Sequence, residues 1–245
     1  MKICIAQTRP VRGDIAANIA QHERIVGIAI SGNCDAVFFP ELSLTGYEPE
    51  LAEKLSIDEN DPILDRFQLL ADAHNIIIGV GAPTRYNGAI RISMLIFQRG
   101  RAREIYSKKY LHPDEEPYFV PGEPFRGRIF SEMKCAIAIC YELSVPEHAE
   151  AAAANGASLY IASAAKSARG LEHALERLHQ IAAKHQMTVL FSNSVGECSG
   201  FVSAGTSSIW SGEGILLGHL EGEHEGIMLF DTADNMVTEI RLNHS

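Results

Sequence analysis

The chain has 245 residues, of which 46% are hydrophobic and 21% charged. That balance belongs to globular proteins and excludes a disordered tail, a collagen-like fibre and a charged coiled coil. The formal net charge of −10 is opposite in sign to the clustered Lys and Arg of a duplex-binding module, so nucleic acid is not an expected partner. From the N-terminus, an apolar run at 3–6 reads as a strand. Asp14 is placed to cap a helix whose apolar face runs through Ile15, Ile19, Val26 and Ile30 and stops at Gly32-Asn33. A second strand at 36–39 is halted by Pro40. Asp61-Pro62 opens a second helical pattern carrying Ile63, Leu64, Phe67, Leu69, Leu70 and Ala73. A third strand follows at 76–80, and 94–97 with 104–106 form a hairpin about Arg99-Gly100-Arg101.

The second half repeats this logic. A strand at 135–139 precedes an Ala-rich helix that begins at Pro146 and ends at Asn155-Gly156. A strand at 159–162, a helix at 171–185 and a strand at 189–191 come next. Residues 207–210, 215–217 and 227–230 then read as strands without long helices between them. Strands that are continuously apolar fit sheets covered on both faces. With no low-complexity linker and no short-period repeat, the pattern predicts one α/β domain over 1–245, built on two sheets packed together.

No apolar stretch reaches the roughly 18 residues that span a bilayer, and the N-terminus lacks a signal-peptide pattern, so a cytoplasmic protein without a membrane role is expected. The five cysteines, at 4, 34, 135, 140 and 198, do not read as a disulfide framework. A special cysteine is then first a candidate nucleophile or metal ligand.

Three strand ends carry reactive side chains. Glu41 follows the strand ended by Phe38-Phe39-Pro40, where burial would raise its pKa and make it a usable general base. Cys140 follows the strand at 135–139, on an elbow whose free backbone N–H groups could stabilise an oxyanion. Lys108-Lys109 follow Tyr106-Ser107, and one ammonium near the cysteine would lower its pKa. Taken singly, each has a plainer reading: a Glu capping a turn, a buried Cys acting as a small hydrophobe, a solvated lysine pair. Cys135 and Cys198 fit that ordinary role.

Together, Glu41, Lys108 and Cys140 in that order resemble the nitrilase superfamily of carbon–nitrogen hydrolases. Pro40-Glu41-Leu42 with Thr45-Gly46-Tyr47 matches its first block, and Lys108-x-x-Leu111 its second. Glu115 in Glu115-x-x-x-Phe119-x-x-Gly122 matches its second carboxylate, and Cys140-Tyr141-Glu142 with Pro146-Glu147 its nucleophile block. Gly156-Ala157-Ser158, Ala162-Ser163-Ala164, Asn193-Ser194-Val195-Gly196, Gly205-Thr206-Ser207 and Gly214-Ile215-Leu216 complete a run over nearly the whole chain.

The resemblance implies a four-layer α-β-β-α sandwich, a homodimer or larger homo-oligomer, and cleavage of a small amide without metal or cofactor. Carried over, it makes Cys140 the nucleophile and Glu41 the base. Lys108 and the Tyr141 backbone N–H would hold the oxyanion, and Glu115 would orient Lys108 or the substrate. Tyr47, Glu142, Ala164 and Lys166 fall at positions near the family pocket. Glu142 reads equally as a contact for a polar substrate group or as a structural salt-bridge partner. Tyr141 after the cysteine, where true nitrilases more often carry Trp, favours an amide over a nitrile. An N-carbamoyl amine hydrolase, a nitrilase and a non-catalytic ligand- or protein-binding member of the same fold are the alternatives. Other chemistries find no support: no Gly-x-Ser-x-Gly, no complete phosphate loop, and neither His-Glu-x-x-His nor Cys-x-x-Cys occurs.

Overall fold

In the computed structural model, residues 1–125, 127, 129–131 and 133–242 are described. In chain order the elements are β1 (Lys2–Gln7), α1 (Ile15–Ser31), β2 (Ala36–Phe38), α2 (Ala52–Leu55), α3 (Asp65–His74), β3 (Ile77–Tyr86), β4 (Ala89–Phe97) and β5 (Glu104–Ser107). They continue with β6 (Cys135–Ile139), α4 (Pro146–Ala154), β7 (Leu159–Ala164), α5 (Ala168–His185) and β8 (Thr188–Asn193). The chain then runs through β9 (Val195–Cys198), β10 (Phe201–Ala204), β11 (Ser208–Trp210), β12 (Leu216–His219), β13 (Gly226–Asp231) and β14 (Met236–Arg241).

Among the described residues the strands form a seven-stranded sheet, β14-β13-β1-β2-β3-β4-β5, a five-stranded sheet, β12-β11-β8-β7-β6, and the ribbon β9-β10. The alternation of side chains along each strand divides the core into layers. Ile3 and Ile5 of β1 meet Ile137, Ile139, Ile161 and Leu190 between the two sheets. Cys4 and Ala6, one residue out of phase, pack with Ile19, Val26 and Phe67 under α1 and α3. On the far side, Ala138, Tyr160, Ala162 and Phe191 pack against Leu178, Ile181 and Ala182 of α5. The result is the expected α-β-β-α sandwich. Both faces of the central strands are covered, which is why their sequences are apolar without alternation.

Local signals place most element ends. The Asp14 carboxylate accepts from Ala17 N–H at 3.0 Å and caps α1. Ser167 caps α5, which therefore starts three residues before the apolar pattern at 171. The pattern from Asp61 resolves into a 3-10 turn at Pro62–Leu64 followed by α3, and it leaves Leu69 68% exposed. The third strand runs well beyond 80. β3 pairs with β4 through to Tyr86↔Ala89, across an Asn87-Gly88 turn with φ of 48° and 80°. Gly81 and Pro83 break the apolar run that marks a strand in sequence, yet both sit in the ladder. The segment around Cys198, which reads as a loop, is one arm of the β9–β10 hairpin. β14, unmarked by any apolar run, is an alternating edge strand held by β13.

The architecture also aligns the site. β2 is parallel to β3, and β4 is antiparallel to both β3 and β5. The carboxyl ends of β2 and β5 therefore point the same way, and β6 of the facing sheet ends beside them.

Candidate active site

Glu41 lies just beyond β2, on a loop laced to β3. Phe39 N–H donates to Gly79 O at 3.0 Å, Leu44 N–H to Gly81 O at 2.9 Å, and Gly81 N–H to Ser43 Oγ at 3.2 Å. The backbones approach so closely that a Cβ on Gly81 would stand 2.4 Å from Pro40 O and 2.5 Å from Leu42 N. His22 of α1 supports the same loop from below. Its ring stacks on Phe39 at 4.0 Å, and Nε2 meets Ser43 Oγ at 2.9 Å. Burial lowers the His22 pKa to about 4, so the ring is neutral and Nε2 accepts from the serine.

Lys108 immediately follows β5 and is fully buried. Its Nζ donates to Glu41 Oε1 at 2.8 Å and to Glu115 Oε1 at 2.7 Å. Glu115 closes a 3-10 turn at Pro113–Glu115, where Tyr47 OH donates to its Oε1 at 2.9 Å and His112 N–H to its Oε2 at 2.8 Å. One buried ammonium thus lies between two buried carboxylates. Burial pulls the Lys108 pKa down, but Glu41, Cys140 and Glu115 together raise it above the ordinary lysine value. Burial also pushes the Glu41 carboxyl up, with Lys108 opposing and Glu115 reinforcing the rise. Ala165 N–H donates to the second Glu41 oxygen at 3.3 Å.

Cys140 follows β6 directly and opens the 3-10 turn Cys140–Ser144 with φ of +50°. A non-glycine residue in that region costs on the order of 1–3 kcal/mol, which the surrounding structure must offset. Tyr141 is the second residue of the turn, so its N–H has no acceptor within it. The thiol sits close enough to Glu41 that each shifts the other. Burial and the Glu41 charge push the Cys140 pKa up to about 11, with Lys166 and Lys108 pulling the other way. Lys108 does lower the thiol pKa, as the sequence suggests, but burial and the Glu41 charge together outweigh both ammonium groups.

Cys140 opens into a pocket of about 410 Å³ that Tyr47, Glu115, Tyr141, Ala165 and Lys166 also line. Two expected pocket residues are elsewhere. Ala164 points into the layer beneath α5, because the alternation along β7 turns it away from the sheet interface. Its neighbour Ala165 faces the pocket instead. Glu142 is fully buried and has no wall on that pocket. Its Oε1 accepts from Lys109 N–H at 2.7 Å and Tyr110 N–H at 3.3 Å, and its Oε2 from Ile139 N–H at 2.7 Å and Tyr106 OH at 2.6 Å. It ties the backbone after Lys108 to the backbone before Cys140, through three backbone N–H donors and the Tyr106 hydroxyl. Beyond Glu142 lies a larger cavity of about 550 Å³ lined by Tyr106, Cys135 and His148, without Glu41, Lys108 or Cys140.

Sequence reasoning also missed the β9–β10 hairpin as a wall. Ser199 and Phe201 line the Cys140 pocket, and Phe201 packs on Tyr47 with ring centroids 5.6 Å apart. The Ser199-Gly200 turn dipeptide was the available signal.

The family model for carbon-nitrogen hydrolases matches residues 2–242. The chain belongs to the carbon-nitrogen hydrolase family. Among solved structures it is similar to the NitN amidase from Neterenkonia sp. AN1, with a TM-score of 0.84, 24% identity, and coverage of 96% of this chain and 93% of that one. Among curated proteins it is 26% identical, over 99% of its own length and 95% of the relative's, to a "Hydrolase in agr operon" of Staphylococcus aureus. It is also 26% identical to an (R)-stereoselective amidase of Pseudomonas sp. over 66% of this chain, and to the glutamine-dependent NAD(+) synthetase of Thermotoga maritima over the same share. Those matches span 59% of the amidase and 29% of the synthetase. No described helix is long and apolar enough to cross a membrane.

Proposed function

We propose that this carbon–nitrogen hydrolase cleaves a small amide through a thioester on Cys140. The observation that carries the reading is the Lys108 ammonium, buried between Glu41 and Glu115 at 2.8 and 2.7 Å beside a thiol that opens on a pocket. Cys140 Sγ attacks the carbonyl carbon as Glu41 takes the thiol proton. The oxyanion is held by Lys108 Nζ and Tyr141 N–H. Collapse breaks the C–N bond, and Glu41 returns the proton to the departing ammonia or amine. Water, giving its proton to Glu41, then attacks the thioester carbon. The acid leaves and the thiol is restored. Glu115 keeps Lys108 aimed throughout.

The two upward shifts act in opposite senses on the transfer. A thiol near 11 stays protonated until the substrate arrives, and each unit by which burial raises Glu41 removes about 1.4 kcal/mol from the cost of the transfer. The test is ammonia release from aliphatic amides, ω-amides, N-carbamoyl amines and nitriles, with mass spectrometry of the trapped adduct. Wild type should turn over an amide and carry its acyl group on Cys140, and Cys140→Ala should do neither. No turnover together with no adduct would favour a ligand-binding member of the fold. Labelling of Cys135 or Cys198 in preference would displace Cys140 as nucleophile.

A further inference from the structure

Glu142 joins the backbones next to Lys108 and Cys140, and it is itself held from behind. Tyr106, whose hydroxyl reaches Glu142 Oε2 at 2.6 Å, lies on β5 two residues before Lys108. Its oxygen also meets Nε2 of His148, on α4, at 2.9 Å. His148 Nδ1 in turn meets the hydroxyl of Tyr160, on β7, at 2.7 Å. Tyr160, His148, Tyr106 and Glu142 thus form one hydrogen-bonded line. It starts in the layer beneath α5 and ends on Ile139 N–H and Lys109 N–H, the neighbours of Cys140 and Lys108.

The protons on that line can be placed. Three backbone N–H donors favour the ionised form of Glu142, so the Tyr106 proton points to it. Burial and the Glu142 charge keep both phenols protonated. Having given its proton to Glu142, the Tyr106 oxygen accepts from His148 Nε2. Burial, aided by the Lys109 charge, lowers the His148 pKa to about 4, so the ring is neutral and carries one N–H. That N–H sits on Nε2, and Nδ1 accepts from Tyr160. Tyr106 and His148 both face the cavity of about 550 Å³ behind Glu142. Packing is incomplete on that side, and their hydrogen bonds set their direction.

We propose that Tyr106 and His148 are positioning residues for the reaction: by holding Glu142 on Ile139 N–H and Lys109 N–H, they fix the spacing of Cys140 and Lys108. The inference rests on the reading of Cys140 as the nucleophile. Neither side chain lines the Cys140 pocket, so their effect falls on the chemical step and spares substrate binding.

The experiment measures kcat and KM on an amide that wild type hydrolyses. Tyr106→Phe should lower kcat roughly 10- to 100-fold, the span of one charge-assisted hydrogen bond, and leave KM within about two-fold. His148→Leu should lower kcat roughly 3- to 10-fold, as for a neutral bond. His148→Gln keeps an N–H for Tyr106 and should restore most of that loss. In a Glu142→Gln background, Tyr106→Phe should cost little more, because the group it holds is already altered. Losses that fall in KM, that multiply in the double variant or that His148→Gln does not rescue overturn the proposal. A merely structural role would lower Tm and leave the kcat of the folded protein unchanged.

Two further measurements keep the test independent of variant folding and of turnover. In ¹⁵N-histidine spectra of wild type at pH 7, His148 should be the Nε2–H tautomer; the Nδ1–H tautomer would reverse the line and overturn it. The rate of Cys140 alkylation by iodoacetamide should fall in the same order as kcat. No wild-type turnover, with alkylation falling in that order, keeps the positioning and discards hydrolysis. Wild-type turnover, with Tyr106→Phe and His148→Leu unimpaired, keeps hydrolysis and discards the positioning.

Discussion

Replacing Lys108 by Met tests the electrostatic centre of the protein. The side chain is fully buried and holds Glu41 and Glu115 at 2.8 and 2.7 Å. Methionine fills the volume but leaves two buried carboxylates facing each other without a cation. Breaking a buried ion pair by removing one partner costs about 3–5 kcal/mol. For a chain of this length, roughly 2–4 °C per kcal/mol makes that about 6–20 °C in Tm. The loss must also depend on pH. Burial already raises the Glu41 pKa, and Lys108 is what opposes that rise. Without it the folded value climbs further. A group whose folded pKa lies above its unfolded one destabilises the fold increasingly as pH rises toward the folded value, and the penalty is absent below the unfolded value. Denaturant unfolding should therefore show Lys108→Met far weaker than wild type at pH 8, with the gap narrowing by at least about 1 kcal/mol at pH 5. Adding Glu115→Gln should restore part of the loss at pH 8. A gap of equal size at both pH values, or no rescue by Glu115→Gln, would refute the account of one ammonium holding two carboxylates apart.

Three further outcomes follow from the geometry. Glu142→Gln turns an amide N–H₂ toward backbone donors that the carboxylate now accepts from; steady-state kinetics should show kcat reduced about 10- to 100-fold, from loss of roughly one charge-assisted bond, with a smaller change in KM. His22, lowered to about 4 by burial, contributes stability that is complete above its unfolded value and lost as pH falls toward 4. Over that interval it amounts to about 3 kcal/mol. His148 is lowered to the same value, so His22→Gln should remove one of two such contributions and flatten the stability profile between pH 6.5 and 4 as followed by denaturant unfolding. Gly81→Ala places a Cβ against the Pro40 and Leu42 backbone, and should cost about 1–3 kcal/mol in denaturant unfolding while displacing Glu41, seen as a fall in kcat.

The central elements and the candidate trio were legible in the chain because their signals are local. An apolar run marks each buried strand. Asp14, Pro146 and Gly32-Asn33 mark helix ends. Glu41, Lys108 and Cys140 each stand just beyond such a strand, with family spacing around them. What was not legible depends on contacts from far along the chain. β3 continues through Gly81 and Pro83 because β4 supplies its ladder and the Glu41 loop needs a residue without a side chain. β14 is an edge strand whose alternation pairs with β13, and β9–β10 lines the pocket with Phe201 packed on Tyr47.

The sequence by itself determined one hydrophobic-core α/β chain and the residue types able to perform acyl transfer at three strand ends. Direction was decided by tertiary structure. The period of two along β7 turns Ala164 toward α5 and leaves Ala165 facing the pocket. Glu142 stands two residues after Cys140 but turns to the Lys108 backbone, leaving the pocket to other side chains. The thiol's pKa depends on how much water the folded site excludes and on which charges surround it, and those quantities do not exist before the two sheets close on each other.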